Sequence, residues 1–147
     1  MSRPEPDLAT LATDPRVAWS EDVLRFCDTD ANGHINNAAF AVFCESGRVA
    51  YLNGIITPTR VEEGFFVIAR LTIDFRAELH YPGRVRCGTW LGSLGRTSVV
   101  FRQVILDEAG GLAATSEAVT VAMDGATRRP AVLGPATRAA LEPRVIG

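Results

Sequence analysis

Apolar and polar residues alternate along the centre of the chain. From Phe65 to Leu79 every odd position is apolar, and from Arg70 onward every even position is polar. Strict period-two alternation is typical of a strand with one buried face, so a strand is predicted over residues 65–79. Turn-forming, glycine-containing segments then separate three more predicted strands in an antiparallel meander. These strands cover residues 84–93, 97–106 and 112–123.

Two elements precede the meander. Residues 17–26 carry apolar side chains among polar ones and are predicted to form a first strand. Residues 38–52 are rich in alanine, which favours a helix capped by Asn36 or Asn37. The first two turns of this helix are apolar almost all round, so we expect burial on every side. One or two more helical turns are expected over residues 135–141.

These elements predict an α+β domain with the hotdog fold, in which a curved antiparallel five-stranded sheet is wrapped around one long central helix. A chain of 147 residues fits a single domain. We expect that domain over residues 17–147, with residues 1–16 as a flexible N-terminal tail. An unpaired edge on the long strand 65–79 would invite association, so a homodimer or homotetramer is expected.

Composition narrows the classes of partner. The sequence is 47% hydrophobic and 22% charged, as in ordinary globular proteins. A formal net charge of −2 provides no field for nucleic acid or an anionic membrane, so we expect no nucleic-acid binding and no membrane insertion. The N-terminal residues resemble neither a signal peptide nor a membrane span, and the three cysteines form no disulfide pattern. A cytoplasmic location is therefore expected.

The polar cluster between the first strand and the helix carries the candidate chemistry. Residues 28–37 read Asp-Thr-Asp-Ala-Asn-Gly-His-Ile-Asn-Asn, and Glu45-Ser46-Gly47-Arg48 follows within the helix. This order resembles the 4-hydroxybenzoyl-CoA thioesterase family and its acyl-CoA thioesterase relatives over residues 17–125. The resemblance implies a thioester hydrolase in which Asp30, the second aspartate of the motif, is the catalytic carboxylate.

The resemblance also adds neighbouring residues to the candidate site. The spacing of the motif is similar to that of plant acyl carrier protein thioesterases, which implicates Asn32 and His34 together with Asp30. A Gly-Arg-Thr-Ser-like stretch tends to lie near the ligand in the thioesterase family, and every basic residue of this chain is an arginine, which suits phosphate recognition. The residues expected to bind substrate in this way are Arg96, Thr97, Ser98, Arg128 and Arg129.

The residue types support the same chemistry on physical grounds. Thioester hydrolysis needs a base or nucleophile at the acyl carbon and a donor for the developing oxyanion. Asp30 can attack directly to form an anhydride or activate a water, and both routes stay open. Backbone N–H groups of Asn36, Asn37 and Ala38, at the positive end of the helix, are expected to polarise the carbonyl. No metal or cofactor is required, and the predicted substrate is an acyl-CoA or acyl carrier protein thioester.

Several residues have alternative interpretations. Asp28 is expected to be structural, through a turn and the helix dipole. His34 is equally suited to ordering the loop. Glu45 and Arg48, spaced i and i+3, are expected to pair with each other or with the strand that wraps the helix. On that strand Glu78 is an outside candidate for a second carboxylate.

Other functions also remain open at this point. The first positions of the motif match a calcium-binding EF-hand loop, but Ala39 stands where the bidentate glutamate should be. A non-catalytic acyl-CoA-binding module would use the same fold without releasing thiol. A dehydratase or isomerase of this fold ranks last, because only two histidines, His34 and His80, are available.

Overall fold

The computed structural model describes residues 4–55 and 64–147. The helices are α1 (Leu8–Thr13), α2 (Asn37–Ile55) and α3 (Pro135–Leu141), and 3₁₀ turns lie at Phe26–Asp28 and Glu142–Arg144. The strands are β1 (Ala18–Leu24), β2 (Gly64–Phe75), β3 (Gly83–Leu94), β4 (Ser98–Leu106) and β5 (Leu112–Asp124). They form one antiparallel sheet in the order β1-β3-β4-β5-β2, which confirms the predicted five-stranded α+β architecture. Within the described ranges, no helix is long and apolar enough to cross a membrane.

α2 packs on one face of the sheet. Its buried positions recur every three or four residues, as on one side of a helix. They are Ala39, Phe40, Phe43, Cys44, Gly47, Arg48 and Tyr51. On the opposite side Val42 and Val49 are each 50% exposed. The expectation that this helix is buried on every side is therefore wrong for a single chain, because the sheet covers only one side of it.

The opposite face of the sheet is covered by the N-terminal segment. The Asp7 carboxylate caps α1 by accepting backbone N–H groups in its first turn. Leu11 of α1 is buried in one cluster with Trp90 and Val104. The expectation of a flexible tail over residues 1–16 missed this helix, because tertiary packing stabilises a helix too short to be marked by its own periodicity.

The alternation of β2 is interrupted by a bulge at Ala69, which the pairing with β5 skips. A bulge shifts the side-chain faces by one residue. Phe66 therefore packs on the core before the bulge, and Leu71 and Ile73 do so after it. The predicted core face of odd-numbered residues holds only beyond Ala69.

β2 also ends earlier than predicted, at Phe75. The N–H groups of the next two residues both donate to the carbonyl of Ala113, at 2.8 and 3.1 Å. The carbonyl of Leu79 then accepts the N–H of Ile35 at 2.8 Å. These bonds turn the chain out of the ladder and place residues 76–80 beside the polar motif.

α2 approaches the sheet closely at Gly47, where an added Cβ would lie 2.8 Å from Thr89 Oγ1 and 2.9 Å from Gln103 Nε2. The buried Gln103 side chain donates to the carbonyl of Cys44 at 2.8 Å and accepts from the Arg48 guanidinium at 3.0 Å. Burial lowers the pKa of Arg48. Gln103 thereby supplies a hydrogen-bond partner to a buried cation, which would otherwise be costly.

Replacing Gly47 by alanine should destabilise the fold. The added methyl group would press on three buried side chains at 2.8–2.9 Å. Overpacking of this kind costs about 1–3 kcal/mol, against about 1 kcal/mol of helix propensity gained. We expect a net loss of up to about 2 kcal/mol in the free energy of unfolding, measured by urea denaturation.

Gly54→Ala is the matched control, because Gly54 lies in the same helix and no atom of the described residues comes within 4 Å of its Cβ position. This variant should be as stable as the wild type or slightly more stable. Equal destabilisation by the two substitutions would contradict the close approach at Gly47.

Candidate active site

The motif forms a closed loop between β1 and α2. Thr29 and Ile35 pair as an isolated antiparallel bridge. Inside it, the Asp30 N–H donates to the His34 carbonyl at 3.0 Å, and the Gly33 N–H donates to the Asp30 carbonyl at 3.1 Å. Gly33 has a φ of +82°, a left-handed conformation that glycine adopts without strain. The loop brings the side chains of Asp30 and His34 together.

The two carboxylate oxygens of Asp30 have different surroundings. Oδ1 accepts the backbone N–H of Asn32 at 2.9 Å. Oδ2 lies 3.7 Å from Nδ1 of His34. The side chain is 21% exposed, so it is held in place and still accessible. Asn32 therefore acts on Asp30 through its backbone N–H.

The imidazole of His34 lies between two acidic residues. Its Nδ1 is 3.2 Å from the carbonyl oxygen of Ile35, in addition to the Asp30 contact. Its Nε2 is 4.0 Å from Oε1 of Glu78, and Oε2 of Glu78 is 3.3 Å from Nε2 of His80. The four side chains therefore form a row in the order Asp30, His34, Glu78 and His80, which includes both histidines of the chain.

Asn36 caps α2. Two of the three N–H groups expected to face the substrate, those of Asn36 and Ala38, already make hydrogen bonds within the chain. The Asn36 side-chain oxygen accepts the Ala38 N–H at 2.9 Å, and its carbonyl accepts the Ala39 N–H at 2.9 Å. Its own N–H donates to the carbonyl of Asp28 at 2.7 Å. Of the three groups proposed for the oxyanion, the Asn37 N–H has no hydrogen bond among the described residues.

A cleft of about 300 Å³ opens between the N-terminus of α2 and the segment that follows β2. Its walls are formed by His34, Ile35, Asn37, Phe40, Phe75, Arg76, Ala77 and Glu78. The rings of Phe40 and Phe75 meet edge-on, with centroids 5.1 Å apart. The cleft is at the small end of the range for ligand pockets and has one apolar side and one polar side.

The structure extends the candidate site beyond the residues chosen from the sequence. His34 and Asn37 line the cleft. Asp30 lies behind His34, with its carboxylate next to the imidazole ring. Phe75 and Arg76 were not selected, because the predicted strand continued to residue 79. A strand alternation that runs directly into polar and turn-forming residues is the available signal for the turn after Phe75.

Asp28 fits the structural role expected of it. Its buried carboxylate accepts the guanidinium of Arg25 at 2.8 Å and the Arg25 backbone N–H at 2.9 Å. These bonds hold the pKa of Asp28 below its ordinary value. The carboxylate is thus engaged by a cation of the chain itself.

In the described ranges, no three His, Cys, Asp or Glu side chains are grouped to hold a metal ion.

The residues expected to bind phosphate lie at the other end of the sheet. The carbonyl of Arg96, in the β3–β4 turn, accepts the N–H of Leu133 at 2.9 Å. This bond ties the turn to the loop after β5, which carries Arg128 and Arg129. The Arg128 guanidinium lies over the ring of Phe65, 4.9 Å from its centroid. Three exposed arginines therefore collect near the beginning of β2.

One chain does not bring this arginine cluster to the cleft. Phe65 and Phe75 lie at opposite ends of β2, roughly 30 Å apart at about 3.3 Å per residue. Thr97 and Ser98 lie at the Phe65 end, where the Thr97 carbonyl accepts an N–H from the end of β5. Arg138 of α3, which the sequence did not single out, donates to a carbonyl of the β3–β4 turn at 2.6 Å and adds a fourth cation there.

Residues 24–141 match the profile of the thioesterase-like superfamily. The acyl-CoA thioester hydrolase YbgC of Escherichia coli is 27% identical over 109 residues, which cover 72% of this chain and 81% of YbgC. A predicted thioesterase from Bacillus stearothermophilus superimposes with a TM-score of 0.78 at 26% identity, covering 88% of this chain and 96% of the other. The DHNA-CoA thioesterase of Staphylococcus aureus has the same fold, with a TM-score of 0.73, 22% identity and 80% of each chain covered. The predicted hotdog fold is thereby confirmed.

Asp28→Asn should lower stability and leave turnover within about tenfold of the wild type. At pH 7 we expect a loss of about 1–2 kcal/mol, because the amide forfeits the charge-assisted bonds to Arg25. The folded-state pKa of Asp28 is depressed, so the stabilisation is present above its ordinary value of 3.8 and is lost as pH falls through the folded pKa. Urea denaturation of both proteins from pH 7 downward should show the difference disappearing in acid.

Asp22→Asn provides a control of opposite sign. Burial raises the pKa of Asp22, so its charged form is disfavoured in the folded chain. Removing that charge should leave stability at pH 7 unchanged or slightly higher. If both substitutions destabilise the protein equally, the Arg25 contact is not the source of the effect at Asp28.

Proposed function

This chain belongs to the thioesterase-like superfamily, and we propose that it hydrolyses acyl-CoA thioesters to the free acid and coenzyme A. The observation that carries the proposal is the cleft lined by His34 and Asn37, with the Asp30 carboxylate 3.7 Å from the His34 imidazole. A carboxylate and an oxyanion donor are the two groups that thioester hydrolysis needs. Acyl carrier protein thioesters present the same reacting group and are the alternative substrate. The proposed location is the cytoplasm.

In this proposal Asp30 is the catalytic carboxylate. Its Oδ1 is fixed by the Asn32 N–H, which leaves Oδ2 for the reaction. Oδ2 either attacks the acyl carbon and expels the thiolate, giving an anhydride that water hydrolyses, or takes a proton from the water that attacks. The Asn37 N–H stabilises the developing oxyanion at the positive end of α2. His34, which lines the cleft, donates a proton to the departing thiolate.

We also propose that the functional unit is a symmetric oligomer in which the β2 edges of two copies pair. β2 is an edge of the sheet, and Ile68 and Phe75 on it are 49% and 51% exposed. Val42 and Val49 of α2 are also half-exposed. A long edge with exposed apolar side chains favours pairing with another strand.

Symmetric pairing would also complete the binding site. A two-fold axis places one β2 antiparallel to its copy, so the Phe65 end of one chain lies beside the Phe75 end of the other. The arginine cluster of one copy would then approach the cleft of its partner. This arrangement supports Arg96, Arg128 and Arg129, with Thr97 and Ser98, as ligands for the phosphates of coenzyme A bound to the other copy.

Asp30→Asn should lower turnover sharply and retain binding. The amide keeps the size of the side chain but removes the charge that attack or proton abstraction requires. We expect kcat to fall by about 10²–10⁴-fold or more, measured as thiol release across a panel of acyl-CoAs. Thermal shift with a hydrolysis-resistant acyl-CoA analogue should show binding preserved, because the cleft walls are unchanged.

His34→Ala is the comparison variant within the same loop, and we expect it to show an intermediate loss of turnover. If Asp30→Asn keeps near-native turnover while His34→Ala abolishes it, the imidazole and not the carboxylate carries the reaction. A wild-type protein that is stabilised by acyl-CoA but releases no thiol is the outcome expected of the non-catalytic binding module.

Sites shared between copies should show complementation. The Asp30→Asn variant lacks the proposed catalytic group, and an Arg128→Ala, Arg129→Ala double variant should show a raised KM with kcat nearly unchanged. In a mixed oligomer one site carries both defects and the other carries neither. At low substrate concentration, the mixture should therefore exceed the mean activity of the two separate proteins.

Ile68→Lys is the control for this experiment, because a charge on the paired edge should give a monomeric mass in light scattering and remove complementation. A monomeric wild-type mass at micromolar concentration, or a mixture no more active than the mean, would overturn the shared site.

A further inference from the structure

We propose that Glu78 is a positioning residue that aims the His34 imidazole into the cleft. The inference rests on the proposed thioester hydrolysis and extends it to a residue outside the motif. The two side chains belong to separate segments, the loop before α2 and the turn after β2. Glu78 Oε1 lies 4.0 Å from His34 Nε2, and both residues line the cleft.

The backbone fixes this juxtaposition. The Ile35 N–H donates to the Leu79 carbonyl at 2.8 Å, and each of these two residues directly follows one member of the pair. Ile35 and Leu79 are both buried in the same core cluster. The segments are therefore locked next to the contact, and Glu78 meets the imidazole without depending on a mobile backbone.

The surroundings of the ring define what Glu78 contributes. As an imidazolium, the form that can donate a proton to the departing thiolate, His34 directs its Nδ1–H at two acceptors, the Ile35 carbonyl and Asp30 Oδ2. Nε2 faces Glu78, while Arg76 lines the same cleft. Asp30 and Glu78 thus lie at opposite edges of the ring, and removing Glu78 leaves the Nε2 edge without its acidic partner.

His80 in turn restrains Glu78. The Glu78 side chain is 65% exposed, and an exposed carboxylate on a flexible stem has little reason to stay in one position. Its Oε2 lies 3.3 Å from His80 Nε2, so the carboxylate is shared between the two imidazoles. His80 therefore supports the contact from the side that faces away from the cleft.

The histidine content of the chain makes a direct test possible. Only His34 and His80 are present, so long-range nitrogen–proton correlation spectra contain two imidazole patterns, and His80→Asn assigns the remaining one to His34. We expect Glu78→Gln to change the ring-nitrogen shifts of His34 in substrate-free protein. Glu142→Gln, which alters an exposed carboxylate in the C-terminal 3₁₀ turn, should leave them unchanged.

Kinetics provide the second readout. Glu78→Gln should lower kcat by roughly tenfold with KM unchanged, which is less than the 10²–10⁴-fold contribution of a general acid or base. In a His34→Ala background the same substitution should have no further effect on kcat. Unchanged His34 shifts in Glu78→Gln, or an equal loss of kcat with and without His34, would overturn the proposal. Failure of the proposed hydrolysis is separate, since it would appear as a wild type without thiol release whatever the spectra show.

Discussion

The hydrogen bond from the Ile35 N–H to the Leu79 carbonyl is the contact on which the candidate site depends, because it joins two segments that are far apart in the sequence. On one side it ends the motif loop just before α2. On the other it follows the departure of the chain from β2 after Phe75. This bond sets the loop that holds Asp30 and His34 against the segment after β2, which forms the second wall of the cleft.

The packing of α2 on the sheet determines the position of the helix N-terminus opposite that wall. Gly47 lets the helix approach β3 and β4 closely, and Gln103 bonds both to the carbonyl of Cys44 and to the guanidinium of Arg48. A buried polar network of this kind tolerates few alternative positions, since a shift would leave a cation or an amide without partners. The N-terminus of α2, with the Asn37 N–H, is therefore held in a defined position relative to the sheet.

The parts of the structure that follow local rules could be predicted from the sequence. Alternation over residues 65–79 indicated a strand, and the polar cluster before an alanine-rich segment indicated a loop and a capped helix. The bulge at Ala69 could not be found in this way, because a bulge changes the register without changing the pattern of residue types. The same limit applies to the cap: the sequence allowed Asn36 or Asn37, and only the contacts show that the Ala38 N–H is already engaged.

The separation between the arginine cluster and the cleft cannot be read from local sequence rules. It concerns two groups of residues that a single chain does not bring together. The predicted substrate-binding residues divide into two groups at opposite ends of β2, and the exposed Ile68 of the β2 edge lies between them. A two-fold pairing of the β2 edges would cover Ile68, occupy the edge of β2 and exchange the two ends of the strand. These three deficiencies of the single chain have one geometric remedy, which is why the shared site is a stronger interpretation than a monomer that binds coenzyme A through arginines roughly 30 Å from its own cleft.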